Sequence, residues 1–287
     1  MIDISQKTII VCGIVRNAEK GLKKNIPIIN SFCNQFQDFN IFIYENDSTD
    51  ATKVLLKEWK SSNPEKIFIS LNTTNSAHAI PTKNPNNGAN KFYCHERINK
   101  MAHLRNQYMI YIDEQKWKSD YIMVVDLDVA LLKLEGLLSS FETNISWDAV
   151  CANGYSLSPR LTRRYHDTYA LVPSGEDNIP QTEKSITKLS YQLGKLKRDM
   201  PWIKISSGFG GVAIYRFEAI AGLRYAEPSL PNDDMRVEVR CEHFSIYQQM
   251  KNKGFNNFYL NPSMELLYQK VSAKIIWNSI KRKFRIN

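Results

Sequence analysis

YIMVVDLD, residues 121–128, is a run of five apolar residues leading straight into two aspartates one residue apart. A short unbroken apolar run suits a strand buried on both faces, as in a parallel sheet. In open α/β sheets, ligands bind outside the carboxyl ends of the strands. Asp126 and Asp128 would share a turn at that edge, where both can reach one divalent ion. Hard ions such as Mg²⁺ and Mn²⁺ prefer oxygen ligands and bridge to phosphate groups. A D-x-D pair also occurs as a plain solvated turn. The buried strand before it is what weighs against that reading.

Working outward, the same pattern recurs upstream. TIIVCGIV (8–15) is another nearly continuous apolar run, followed by Arg16-Asn17-Ala18-Glu19. A helical pattern covers 22–36, with Ile26, Ile29 and Phe36 on its buried face. NIFIY (40–44) ends in Glu45-Asn46-Asp47-Ser48-Thr49-Asp50, and Ser48 or Thr49 can cap a helix over 51–60. KIFISL (66–71) reads as a third strand, 72–90 as a long Asn-, Thr- and Pro-rich loop, and 94–114 as a helix. Strands alternating with helices predict an α/β fold with a mostly parallel central sheet.

Downstream, DAVCA (148–152) reads as a strand and 155–201 as a polar insertion, helical over 182–197. GFGGVAIY (208–215) is a glycine-rich turn entering a strand, and 241–253 is a helix. No linker is evident. The expected layout is a single domain over 1–265, with a nucleotide-binding half at 8–130 and an acceptor half at 131–265, followed by a basic tail at 266–287.

Three strand ends now point polar groups at one crevice: Arg16, then Glu45 with Asp47, then Asp126 with Asp128. Arg105, within a predicted helix, offers a planar fork suited to phosphate, or is simply a surface arginine. The turn Ser206-Ser207-Gly208-Phe209-Gly210-Gly211 would let the backbone at Gly210 approach a sugar closely, or is a tight turn without a ligand. Glu242 and His243 open the last predicted helix. Asp233 and Asp234 lie on the loop before it.

This order of segments resembles the GT-A glycosyltransferases, carried by VCGIVRNAE (11–19), YENDSTDAT (44–52), HLRN (103–106) and VVDLDV (124–129). With ENDSTD, LRN and DLD in sequence, it resembles the fungal capsule alpha-mannosyltransferase-like family and its bacterial relatives, over about residues 8–250. The resemblance implies a Rossmann-like GT-A sheet and transfer of a hexose from a UDP- or GDP-sugar, with Mn²⁺ or Mg²⁺, onto an acceptor glycan. It implies that Arg16 and Glu45 contact base and ribose with Asp47 beside them. Arg105 would line the donor phosphates, and Asp126 and Asp128 would hold the metal, with Asp128 the more direct ligand. Glu242 would be the general base for the acceptor hydroxyl, with Asp234 in reserve. His243 stands where such enzymes often carry an acid; it is a third metal ligand or an orienting partner of Glu242. The fungal family is a retaining one, which needs no base, so Glu242 could instead position the acceptor.

Composition narrows the alternatives. With 43% hydrophobic residues in 287, the chain can bury a substantial core. The net charge of +9 suits phosphorylated ligands, nucleic acid or anionic membrane. Much of it is local: 270–287 carries six basic residues and no acidic one. That tail, with Val271, Ile275, Ile276, Ile280 and Phe284 near helical spacing, fits an interfacial helix on anionic lipid and a lipid-linked acceptor. A helix packed on the domain would look the same. No recognisable nucleic-acid-binding motif appears, so no nucleic-acid partner is expected. A nucleotidyltransferase would carry a richer glycine loop than RNAEKGLKKN after the first strand. The intact aspartate pair argues against an inactive glycan-binding relative. Five cysteines without C-x-x-C spacing, no signal peptide and no apolar run of membrane-spanning length lead us to expect a cytoplasmic protein resting on the inner face of the membrane.

Overall fold

The apolar runs of the first half all become strands of one sheet. The computed structural model describes residues 2–72, 81–158, 161–228, 234–269 and 276–277. In chain order the elements are β1 (Thr8–Val15), α1 (Glu19–Cys33), β2 (Asp38–Asn46), α2 (Thr52–Ser62), β3 (Ile67–Asn72), α3 (His95–Glu114), β4 (Tyr121–Val125) and α4 (Leu134–Leu138). There follow β5 (Ala149–Leu157), β6 (Arg163–Tyr165), β7 (Val172–Pro173), α5 (Glu183–Leu193), β8 (Ile203–Ser207), β9 (Val212–Arg216), α6 (Phe217–Ile220), α7 (Glu242–Asn252) and β10 (Phe258–Leu267).

The sheet order among the described residues is β3-β2-β1-β4-β9-β5-β10-β8-β7, with β6 paired to β5. β1 is parallel to both β2 and β4, and β2 to β3. β9 is antiparallel to both β4 and β5, while β10 is parallel to β5. Two reversals cancel, so β5 and β10 run in the same direction as β1, β2 and β4. Their carboxyl ends share one edge, where the reversed β9 begins. Helices α1, α2 and α4 pack on one face, through Leu22, Ile29, Phe32, Leu56, Trp59 and Leu137. α3 and α7 cover the other, through Ile98, Tyr108, Ile246 and Tyr247.

Close backbone approach explains two glycines. A Cβ on Gly13 of β1 would meet the Val125 carbonyl oxygen at 2.3 Å. A Cβ on Gly21 of α1 would meet the Leu127 carbonyl oxygen at 2.4 Å. One turn later Asn25, fully buried, donates from Nδ2 to the carbonyls of Leu127 and Val129 at 3.1 and 2.8 Å, and accepts from the Leu132 amide. The start of α1 therefore grips the backbone of the Asp126–Asp128 turn. The helix expected over 22–36 ends at Cys33; Ile29 is buried on it and Phe36 just beyond its end, but Ile26 is only half-buried and polar Asn25 takes the interior.

Some local expectations fail for identifiable reasons. Neither Ser48 nor Thr49 caps α2: Ser48 Oγ accepts from the Asn17 amide, and the Thr49 amide donates to Asn17 Oδ1. The Asp50 carboxylate instead accepts from the amides of Thr52 and Glu19, so it serves the first turns of both α2 and α1. β8 and β10 were not expected. β10 carries Asn261-Pro262-Ser263 in its middle, which breaks any strand pattern, and its register against β5 shifts between Asn261 and Glu265. It runs past the expected boundary at 265. The expected amphipathic helix falls largely on 270–275 and 278–287, outside the described residues. Among those described, no helix is long and apolar enough to cross a membrane.

Candidate functional site

At the shared carboxyl edge lies a cleft of about 530 Å³. That volume is in the range of small-molecule sites. Arg16 enters it from the end of β1, Asn46 from the end of β2, Asp126 and Asp128 from the turn after β4, and Tyr268 from just beyond β10. Arg97, Leu104 and Arg105 of α3, Asp167 and Phe209 from the acceptor half, and Glu242 and His243 of α7 complete the wall.

The aspartate turn is held from several sides. The Asp126 amide donates to the Gly211 carbonyl at 2.9 Å. Asp126 Oδ2 accepts from the Tyr268 hydroxyl at 2.7 Å, and Oδ1 lies 3.7 Å from Arg105 Nη2. Burial outweighs the pull of Arg105 and Tyr268, so the Asp126 carboxyl sits above its ordinary value. Asp128 opens onto the cleft, where the enclosing walls and then the charge of Asp126 push its carboxyl up to about 7. Two crowded carboxylates, of which Asp128 has no ion pair among the described residues, fit a divalent ion. Among the described residues no three His, Cys, Asp or Glu side chains converge into a closed cage. An ion held here would therefore take its remaining ligands from phosphate oxygens and water, as Mg²⁺ commonly does.

Arg105 is 4% exposed and links the two acidic regions. Its Nε donates to Glu242 Oε1 at 2.9 Å, and its guanidinium lies 4.8 Å from the centre of the Phe209 ring. Burial alone would favour its neutral form, but the negative charges of Asp126 and Glu242 hold it firmly charged. Among the described residues Nη1 is buried without a hydrogen-bond partner, as are Nε of Arg16 and Nε of Arg97. Among the described residues three guanidinium groups thus line one cleft, the positive charge that anionic oxygens complement.

Glu242 does not look like a general base. It is 2% exposed, bonded to Arg105, and accepts from the Cys241 thiol at 3.2 Å. Burial would raise its carboxyl, but the positive charge around it, above all that of Arg105 and Arg97 once His243 is neutral, brings it down to about 2. So weak a base abstracts a hydroxyl proton poorly. His243 is 1% exposed and stacks flat on Phe209, with ring centres 4.1 Å apart. Burial holds its imidazole well below the usual range, hence neutral, which leaves Arg105 and Arg97 to keep Glu242 ionised. Among the described residues both His243 ring nitrogens are buried without a hydrogen-bond partner, with Nε2 3.9 Å from Glu242 Oε1.

The other expected residues divide. Gly210 has φ +67, and a Cβ there would meet the Ala152 carbonyl at 2.2 Å, so the turn requires glycine. Its amide points at Asp167 Oδ2, 3.4 Å away. Glu45 lies behind the wall, fully buried, accepting from the Ser48 amide at 2.6 Å, with Lys53 3.9 Å away. Asp47 takes a positive φ of 54 in the same turn. Neither lines the cleft; Asn46 between them does. Asp234 accepts from the Arg236 amide in a turn and does not line the cleft either. Asp233 is outside the described residues. Three residues were missed: Tyr268, hidden behind the Pro262 interruption; Asp167, inside a polar insertion without periodicity; and Arg97, one of several charged residues on α3.

The sequence profile of the cryptococcal mannosyltransferase 1 family matches residues 8–245. The chain belongs to that family. Among solved structures it is similar to the mannosyltransferase PcManGT from Pyrobaculum calidifontis, in complex with GDP-mannose and Mn²⁺, at TM-score 0.52 and 10% identity over 100% of this chain and 66% of that one. S. aureus TarS gives TM-score 0.48 at 11% identity over 96% of this chain and 38% of that one. Glucosyl-3-phosphoglycerate synthase from Mycobacterium tuberculosis gives 0.43 at 10% over 97% and 79%. The chain spans about two thirds of the length of PcManGT and much less of TarS. No curated protein matches by sequence. By family the chain is one of the mannosyltransferase 1 group, and its fold is of the GT-A type.

Proposed function

We propose that the enzyme moves a hexose from a UDP- or GDP-sugar, bound with Mn²⁺ or Mg²⁺, onto an acceptor glycan during assembly of a surface polysaccharide or glycoconjugate. The observation that carries this reading is the charge pattern of the cleft. Two aspartates share a turn, Asp126 near Arg105 and Asp128 without an ion pair among the described residues, in a cleft that Arg16, Arg97 and Arg105 also line. A nucleoside diphosphate with its metal complements both. PcManGT, with GDP-mannose and Mn²⁺, supports it as a fold relative.

Residues 8–130 form the donor half in this reading and 131–265 the acceptor half. Arg16 and Asn46, at the ends of β1 and β2, face the nucleoside, while Arg97 and Arg105 face the diphosphate. Asp128, the freer carboxylate, is the direct metal ligand, and Asp126 is steadied by Tyr268. A bound divalent ion would offset the charge that develops on the departing diphosphate. Arg105, braced by Glu242 and stacked on Phe209, holds its fork still, so little reorganisation is needed as that charge forms. A lipid-linked acceptor and contact of the basic tail with anionic membrane at the cytoplasmic face belong to the same reading.

The test is thermal stabilisation by UDP, GDP, CMP and ADP, with and without Mn²⁺, on wild type and Asp128→Ala. A ligand that binds only the folded state raises the melting temperature. One nucleoside diphosphate should stabilise the wild type only with Mn²⁺, and the substitution should remove that gain. No shift with any nucleotide would refute the donor site.

A further inference from the structure

Among the described residues four carboxylates line the cleft: Asp126, Asp128, Asp167 and Glu242. Glu242 is consumed by Arg105, and Asp126 by Tyr268 and Arg105. Asp128 belongs with Asp126 on the donor side. Asp167 stands apart. Its one hydrogen bond among the described residues is the long contact from the Gly210 amide, 3.4 Å, and it has no ion pair there.

Its neighbours are fastened instead. The Tyr165 hydroxyl donates to the Ala152 carbonyl at 3.1 Å. The His166 amide donates to the Gly154 carbonyl at 2.9 Å, and its ring stacks on Tyr268 with centres 3.6 Å apart. Tyr268 in turn bonds Asp126. The carboxylate is thus fixed relative to the aspartate turn through its flanking residues while remaining unused itself. A fixed acceptor with spare lone pairs in a ligand cleft fits a hydroxyl donor.

We propose that Asp167 is the acceptor-binding carboxylate of this transferase. It accepts a hydrogen bond from the attacking hydroxyl and orients that oxygen toward the anomeric carbon of the donor. The assignment rests on the donor site proposed above. Asp126, Glu242, Arg105 and Arg97 are the charged groups that act on Asp167. Burial, then Asp126 and Glu242, push its carboxyl up to about 6, against the two arginines, so it remains mostly ionised at neutral pH.

The experiment compares wild type, Asp167→Asn and Asp167→Glu on GDP-mannose and UDP-glucose with Mn²⁺. Release of nucleoside diphosphate is followed with water and with methyl α-mannoside as attacking hydroxyls. Thermal stabilisation by GDP or UDP is read on the same samples. Asp167→Asn should melt as the wild type does, keep its nucleotide shift and donor KM, and lose about 100-fold in release, the scale of a misplaced reactant. Asp167→Glu, which keeps the charge at a longer reach, should recover part of the rate. Release by Asp167→Asn within about twofold of wild type, less than one hydrogen bond is worth, overturns the assignment. So does loss of its nucleotide shift, which would place Asp167 in the donor site. A wild type that no nucleotide stabilises removes the donor site, and the Asp167 assignment falls with it. A stabilised wild type beside a fully active Asp167→Asn removes the Asp167 assignment alone.

Discussion

Two acidic regions face the same cleft and are treated in opposite ways. At the turn after β4, Asp128 is driven up to about 7 by its surroundings and by Asp126. At the start of α7, Glu242 is drawn down to about 2. Arg105 lies between them, at 2.9 Å from Glu242 but 3.7 Å from Asp126. Where the protein supplies its own cation at bonding distance, the acid acts as a brace. Where it does not, the acid is left for something that arrives with charge of its own. Sequence shows three acids in a family-like order; only the position of one arginine separates their roles.

The largest effect should come from breaking the brace. Glu242→Ala leaves Arg105 buried without its partner, and loss of one member of a buried pair costs about 3–5 kcal/mol. Urea denaturation should show that loss, with Glu242→Gln falling between the two. The pH dependence has a definite sign. A carboxyl lowered from 4.5 to about 2 contributes stability that is fully present above about pH 4.5 and lost as pH falls toward 2. If Glu242→Ala unfolded at the wild-type urea concentration, the pair would not be a brace, and Glu242 would return as a candidate base.

Next in size is Gly21→Ala. The added methyl would sit 2.4 Å from the Leu127 carbonyl oxygen and 2.9 Å from the Asp128 Cα, both backbone atoms. Overpacking of this kind costs about 1–3 kcal/mol. The informative part is where the strain goes. If α1 positions the aspartate turn, the variant should lose nucleotide stabilisation with Mn²⁺ even where it remains folded. A variant that is less stable but keeps the full ligand shift would show that the turn keeps its geometry without α1.

The parallel half was readable because each of its strands is a local apolar run with polar residues at its carboxyl end. Those runs became β1 to β4, and Arg16, Asp126 and Asp128 came to one edge. Arg105 was also readable as a phosphate-facing residue, but its bond to Glu242 spans 137 positions and exists only because α3 meets α7. The second half resisted for a different reason. β8 and β10 are strands by virtue of their neighbours, and Pro262 erases the local pattern of β10. Tyr268 went unnoticed with that strand. Glu45 and Asp47 misled because a polar stretch at a strand end can turn inward to stabilise its own turn, as the Ser48 amide bond to Glu45 does.

The smallest effect probes the other side of the comparison. Asp128 is raised from 3.8 to about 7, so the folded state holds its proton more tightly than the unfolded chain does. Stability must then fall as pH rises from about 4 to about 7, and level off above that. This is a separate window from that of Glu242, and the slope has the opposite sign. Because Asp128 opens onto solvent, screening reduces the effect, and the expected change in melting temperature is about one or two degrees. Asp128→Asn should remove that slope and melt slightly higher than wild type at pH 8 without metal. Mn²⁺ with the cognate nucleotide should reverse the ranking by stabilising only the wild type. Parallel pH profiles for the two proteins would mean that Asp128 carries no unmet charge, and the contrast between the two regions would reduce to the Arg105–Glu242 pair alone.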